Sequence, residues 1–283
     1  MNFEKWQALG NDYLIVEAAD LPFELTPPRI RRLCDRHFGP GSDGILLLAP
    51  SDSPGSVATL RIFNPDGGEA ELSGNGAREA VLYLRRRGWV DADTFSIETV
   101  AGEIRPTITG ASTCTVDMGR ARLASDDYPS GNGDGRGQLQ AGGRSWSFQH
   151  VKIGNPQCAI RVADLDTLQS LDLAAIGPAI EHSDLFPNRT NISWYTPIAP
   201  DRIRARIFER GVGEDLASGT GATGAAVAHV IAGGESPVTV VLDGGELEVE
   251  VGEDLHINLT GWAVPVMRGT LAAELVEELR ATE

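Results

Sequence analysis

Cysteine, basic charge and long apolar runs are all scarce in this chain, and each scarcity removes a class of function. Only Cys34, Cys114 and Cys158 occur in 283 residues, an odd count with no Cys-x-x-Cys or Cys/His ligand spacing. A secreted disulfide framework and a structural zinc site are therefore not expected. Lys and Arg number 24 against 40 Asp and Glu, a formal net charge of −16. No basic field exists to hold a nucleic-acid backbone or an anionic membrane surface. The one basic run, Arg85-Arg86-Arg87, follows an apolar-periodic stretch and reads as a solvated helix end. No stretch approaches the length of about 18 apolar residues that a membrane-spanning helix needs. The opening MNFEKWQALGNDYLIVEAAD has neither a basic n-region nor a continuous apolar h-region, so a cytoplasmic chain is expected.

What the chain has in quantity is glycine, 33 residues, with 16 prolines in a 41% hydrophobic composition. That balance indicates many turns and short strands, not a helical bundle. The length predicts about two domains. Internal comparison says how they arise. Residues 61–80 read RIFNPDGGEAELSGNGAREA and residues 206–225 read RIFERGVGEDLASGTGATGA, with ten of twenty positions identical at a constant offset of 145. Each copy runs from an alternating strand (57–63 and 203–208), through a carboxylate- and glycine-rich loop, into Ser-Gly-x-Gly-Ala at the start of a helix. Ser73 and Ser218 are good N-caps, and the glycines allow another group to approach the backbone closely. A short helix is expected from Thr26 to Asp35, with Pro27 and Pro28 near its start. The segment Ser130–Gly137 is the most linker-like and divides the chain almost in half.

The expected fold is α+β: two pseudo-symmetric lobes, each a curved, mostly antiparallel sheet or barrel around a central helix. The N-terminal lobe spans 1–125 and the C-terminal lobe 126–265, with the tail 266–283 packing back on the first. Two such helix starts facing one cleft would offer backbone N–H groups and two positive dipole ends to a carboxylate.

The motifs, taken in order, resemble the diaminopimelate epimerase family of cofactor-independent amino-acid epimerases and racemases over nearly the whole length. They are Gly10-Asn11-Asp12, Arg36-His37-Phe38-Gly39 through Gly41-Ser42-Asp43-Gly44, and Asn64-Pro65-Asp66-Gly67 leading into Gly74-Asn75-Gly76-Ala77-Arg78. Gly154-Asn155-Pro156, Asn188-Arg189-Thr190-Asn191, and Glu209-Arg210-Gly211-Val212-Gly213 leading into Gly219-Thr220-Gly221-Ala222 complete the set. The resemblance implies an isomerase with its active site between two lobes, where one thiolate removes an α-proton and the opposite thiol returns one. It also implies a small amino-acid substrate of the lysine and cell-wall precursor pathway, no cofactor, and a fold that allows a homodimer.

By the resemblance, Asn11, Asn64, Asn75, Asn155 and Asn191 orient the substrate, with the backbone of Gly74, Gly219 and Thr220. Glu209 lies polar to its amine and Arg210 near a carboxylate. Read without the family, the same asparagines suit turns, and the serines suit ordinary caps. The chain departs from the family at the reacting atoms. Ser73 and Ser218 stand at the two cysteine positions, and Gln157 at a histidine. An alkoxide base at neutral pH needs a shift of about six units, roughly 8 kcal/mol. A helix terminus supplies only about 0.3–2 kcal/mol.

Three readings stay open. The serines were placed deliberately to trap a ligand or prevent oxidation, against which Gln157 speaks. Or a nearby carboxylate is the base, from Glu69, Glu71, Glu214, Asp215 or Glu209, with serine as donor. Or the fold is kept for binding alone. His150 is a reserve acid–base candidate. His37 reads as structural, and His182, His229 and His256 show no metal spacing. An isomerase of the same fold that shifts a proton or double bond with a carboxylate base is the alternative activity.

Overall fold

The computed structural model describes residues 1–71 and 73–282, and the chain divides into two compact units. Unit 1 is Met1–Val116 with the chain from Gly261 on; unit 2 is Asp117–Thr260. Among the described residues no helix is long and apolar enough to cross a membrane.

Unit 1 holds β1 (Asn2–Ala8), β2 (Asn11–Glu17), α1 (Pro27–Cys34), β3 (Ile45–Pro50), β4 (Ser56–Phe63), β5 (Glu69–Ala70), α2 (Gly74–Arg86), β6 (Ser96–Thr99), β7 (Gly102–Ile104) and β8 (Thr107–Ile108). β9 (Thr113–Arg120) then carries the chain into unit 2, which holds β10 (Arg136–Ala141), β11 (Arg144–Ile153), β12 (Asn155–Arg161), α3 (Leu165–Gln169) and α4 (Leu173–Glu181). It continues with β13 (Asn191–Ala199), β14 (Arg202–Glu209), β15 (Gly213–Asp215), α5 (Gly219–Ile231), β16 (Val238–Leu242), β17 (Gly245–Val251) and β18 (His256–Trp262). β19 (Val264–Thr270) and α6 (Ala273–Ala281) return to unit 1.

The repeat in sequence is a repeat in topology. Unit 1 orders its strands β19-β1-β2-β3-β4-β6-β7, and unit 2 has β10-β11-β12-β13-β14-β16-β17, with β18 beyond. Pair by pair the directions agree: antiparallel, antiparallel, parallel, antiparallel, parallel, antiparallel. α2 and α5 each have 13 residues. Their caps agree closely too, Ser73 at φ −129°, ψ 123° and Ser218 at φ −127°, ψ 126°.

The division falls inside β9, after Val116, and inside β18, after Thr260, whereas 125/126 and 265/266 are the boundaries read from sequence. The linker-like Ser130–Gly137 lies wholly inside unit 2, and its last two residues already belong to β10. The tail supplies β19, which takes beside β1 the slot that β10 takes beside β11. α6 then docks on α1 through buried Leu279, the Arg32–Glu278 ion pair at 2.8 Å, and Arg29 Nε donating to the Leu279 carbonyl at 2.7 Å.

α5 packs on β11, β12, β13, β14, β16 and β17, so the sheet of unit 2 curls around it. Most of the side chains buried there are small. Gly219, Gly221, Ala222, Gly224, Ala225, Ala226 and Ala228 are all buried. A Cβ on Gly224 would lie 2.7 Å from the Cβ of Gln157 on β12. Interior glycines cost about 0.8–1 kcal/mol each against alanine, so burial rather than propensity holds this helix.

One repeated pair shows how context divides equal sequence. Arg61–Glu69 and Arg206–Glu214 occupy equivalent positions at 2.7 Å and 2.5 Å. The Arg61 side chain is 50% exposed and that of Arg206 15%. Arg206 also donates to the carbonyls of Leu168 and Leu171, at 3.0 and 2.9 Å. Arg206→Ala is therefore expected to cost about 2–3 kcal/mol, because it removes a largely buried charged donor and leaves the Leu171 carbonyl without its partner. Arg61→Ala should cost under about 1 kcal/mol, as exposed ion pairs do. Urea unfolding of both variants checks this, and equal losses would contradict it.

Candidate active site

In unit 1 the cap of α2 is more than a cap. Ser73 Oγ accepts from the Gly76 N–H at 3.1 Å and from the Tyr13 hydroxyl at 3.1 Å. With two donors on its oxygen, the serine proton is left to be donated outward. Gly76 packs closely, since a Cβ there would lie 2.9 Å from Leu46 Cδ2 and push that methyl aside.

Beside it a chain of amides forms. Asn75 Nδ2 donates to Asn11 Oδ1 at 3.3 Å, and Asn11 Nδ2 donates to Asp43 Oδ2 at 3.2 Å. Arg78, fully buried on the first turns of α2, donates to Asn75 Oδ1 at 2.5 Å. Asp43 is fixed by Arg36 at 2.6 Å and by the Asp12 N–H at 3.0 Å. Arg36 also holds Asp12 at 2.7 Å and Lys5 holds it at 2.5 Å. Burial pulls the Asp12 carboxyl up, but the hydrogen bonds from Arg36 and Lys5 outweigh it, so it titrates below its ordinary value. Asn11 and Asn75 are thus brought together. Asn64 is not part of the chain; it is exposed, and its backbone closes a turn with Gly67 and Gly68.

Unit 2 builds a second half-site on the repeat of the first. Ser218, nearly buried, accepts from the Gly221 N–H at 3.1 Å and lies 3.5 Å from the Thr220 hydroxyl. Here its further partner is a carboxylate. Glu209, at the end of β14, lies beside Ser218, which favours its ionised form. Burial pushes its carboxyl above the ordinary value, opposed by Ser218 and by Arg210. At the 145 offset, Glu209 corresponds to Asn64, so the two half-sites differ where one carries a titratable group.

Arg210 gathers the remaining residues. Its backbone N–H donates to Asn191 Oδ1 at 2.9 Å, and its guanidinium donates to Asn155 Oδ1 at 3.2 Å and to the Asn188 carbonyl at 3.0 Å. Gly219 and Thr220 form the first turn of α5, and Gly74 and Asn75 that of α2, where N–H groups have no intrahelical acceptor.

The other bases named from sequence are engaged differently. Glu69 is paired with Arg61 and Glu214 with Arg206, while Glu71 is exposed. Asp215 acts on Glu209 as a like charge that raises its carboxyl. His150 is buried beneath Ser125, whose hydroxyl is 2.9 Å from its Nε2, and burial holds its imidazole below the usual range. Gln157 is fully buried, and neither of its amide atoms finds a partner among the described residues. Tyr13 was not singled out in the sequence, although it directly follows Gly10-Asn11-Asp12. Its side chain does its work sixty residues away, a pairing no local pattern encodes.

The chain is similar over nearly its whole length to known proteins. The family profile described as Diaminopimelate epimerase matches residues 3–124 and 149–270, one stretch for each half of the repeat. The diaminopimelate epimerase of Synechococcus sp. (strain JA-3-3Ab) is 40% identical over 281 residues, covering 96% of this chain and 98% of that protein. That of Pelotomaculum thermopropionicum is 40% identical over 279 residues, covering 95% and 98%. Among solved structures, the hydroxyproline epimerase of Agrobacterium vitis matches with a TM-score of 0.65 at 13% identity, covering 95% of this chain and 91% of that one. The Bacillus anthracis phenazine biosynthesis protein of the PhzF family matches with a TM-score of 0.64 at 18% identity, covering 96% and 99%. With a duplicated profile match and relatives at this level over nearly their full length, the chain belongs to the diaminopimelate epimerase family.

Proposed function

We propose that this chain is a cofactor-independent amino-acid epimerase or racemase whose proton-abstracting group is Glu209, acting beside Ser218, in place of a thiolate. The observation that carries the reading is the placement of the half-buried Glu209 carboxyl, at the end of β14, beside Ser218 at the start of α5, where burial raises it. Diaminopimelate or a closely related amino acid is the proposed substrate, as the names of the relatives suggest.

The α-carboxylate binds at the helix-start amides of Gly219 and Thr220, where the N–H groups and dipole favour an anion. Arg210 and the amides of Asn155 and Asn191 orient the amino and distal groups. The ionised Glu209, positioned by Ser218, takes the α-proton, and the helix-start N–H groups meet charge developing on the substrate. Ser73, which caps α2 and is held by Tyr13, is the corresponding hydroxyl of unit 1. A carboxylate with a raised pKa is a better base than an ordinary one, though still far weaker than the carbanion it helps form. Turnover by the serine form is expected to be slow.

A second reading is favoured by the same Glu209–Ser218 contact. A carboxylate base without a thiol also suits a proton or double-bond shift in an unsaturated acid. Incubation in deuterium oxide separates the readings. Label entering the α-carbon with inversion supports the epimerase, and label entering another carbon supports the proton shift. Binding without exchange would overturn both.

A further inference from the structure

Because the two sheets share one strand order, positions in unit 1 can be matched to positions in unit 2. In unit 1 the row Arg268, Glu4, Ile15 crosses β19, β1 and β2. In unit 2 the corresponding row Arg136, Gln149, Ala159 crosses β10, β11 and β12. Two residues further along the third strand, on the same face, stand Glu17 in unit 1 and Arg161 in unit 2. Each set lines a cavity at the C-terminal end of its central helix, of about 440 Å³ in unit 1 and about 520 Å³ in unit 2.

The two cavities differ in charge. In unit 1 every arginine is answered: Arg268 lies 2.7 Å from Glu4, and Arg87 lies 3.6 Å from Glu17, which also accepts from Tyr83 at 2.7 Å. In unit 2 Gln149 replaces Glu4 and Arg161 replaces Glu17. Both acids are gone and one has become a cation. No carboxylate lines this cavity, and neither guanidinium has an ion pair or hydrogen bond among the described residues. Gln149 does not compensate, since its amide donates to the carbonyls of Asp134 and His150 at 2.7 and 3.1 Å. The Asp134 carboxylate accepts from the Arg136 backbone N–H at 3.1 Å, not from its side chain.

Space and a further donor are present as well. Where unit 1 has Tyr83 and Arg87 on its helix, unit 2 has Ala228 and Ala232, and Phe148 and Ile231 add apolar wall. Tyr195, buried and paired across strands with Arg161, is pushed up to about 12, chiefly by burial, so its hydroxyl is a neutral donor at physiological pH. The negative end of the α5 dipole is worth about half a charge, less than the two guanidiniums oppose to it.

We propose that this cavity binds a small organic dianion with an apolar body, the ligand supplying the counter-charge that Glu4 and Glu17 supply in unit 1. The site is separate from the serine half-site. The 13 residues of α5 place its two ends about 20 Å apart. The proposal does not depend on the epimerase reading.

Calorimetric titration of the full chain with phenyl phosphate and, separately, with glutarate tests it, and the tighter probe tells phosphate monoester from diacid. Saturable binding of at least one is expected, weakened about tenfold or more by Arg161→Gln and by Arg136→Gln, and unchanged by Arg210→Ala. Arg161→Glu, which restores the unit 1 pattern, should abolish binding while leaving the thermal melt intact. Absence of binding at millimolar probe, or binding insensitive to both arginine substitutions, overturns the proposal. So does binding lost in Arg210→Ala, which would put the anion at the serine half-site.

Discussion

Glu209→Gln is expected to lower α-proton exchange by about a hundred- to ten-thousandfold, the range for removing a positioned general base. Glutamine keeps the size of the side chain and can still hydrogen-bond Ser218, so the local fold should survive. What it removes is the ability to accept a proton. Substrate affinity should change far less than the rate, because the proposed carboxylate contacts lie on the helix-start amides and Arg210. A drop in affinity equal to the drop in rate would instead assign Glu209 to holding the substrate amine.

Restoring thiols should work in the opposite direction. In the Ser73→Cys, Ser218→Cys variant each sulfur would cap a 13-residue helix at its N-terminus. That is the setting that lowers a thiol pKa toward neutrality, whereas a serine hydroxyl remains some six units or more too weak. Exchange should rise by about a hundredfold or more, since even a few per cent of thiolate is a strong nucleophile and base at neutral pH. Recovery should be incomplete, because Gln157 stands at the family's histidine and cannot exchange a proton. In this background Glu209→Gln should cost much less than in the serine form, as the thiolates take over proton transfer. Equal losses in both backgrounds would contradict the assignment of Glu209 as the base.

Much of the fold was legible because the chain states its plan twice. Strand, acidic loop, capping serine and glycine-opened helix recur at one offset, and the structure places β4 with α2 and β14 with α5 accordingly. Pro27 and Pro28 marked the start of α1 because fixed φ and a missing N–H are tolerated only there. Sheet edges were less legible. Nothing in Val264–Thr270 says that it completes the first sheet beside β1, since edge pairing is set by geometry rather than by pattern.

The site divides in the same way. Asn11 with Asn75, and Asn155 with Asn191 through Arg210, are found grouped, while Asn64 sits in the kind of turn that Asn-Pro-Asp-Gly favours. The asymmetry between half-sites was written in the alignment of Asn64 with Glu209. Its chemical weight appears only with burial, because a carboxylate is perturbed by what surrounds it and not by its neighbours in sequence.

The most direct measurement is the pH dependence of deuterium wash-in at the α-carbon of meso-diaminopimelate, comparing the chain as it stands with Glu209→Gln. A base must be ionised, and burial raises the Glu209 carboxyl. Exchange should therefore fall on the acid side through a limb above the ordinary carboxylate range, and that limb should disappear with the activity in Glu209→Gln. Exchange that persists in Glu209→Gln with the same limb would show that another group carries the proton, and would contradict the account.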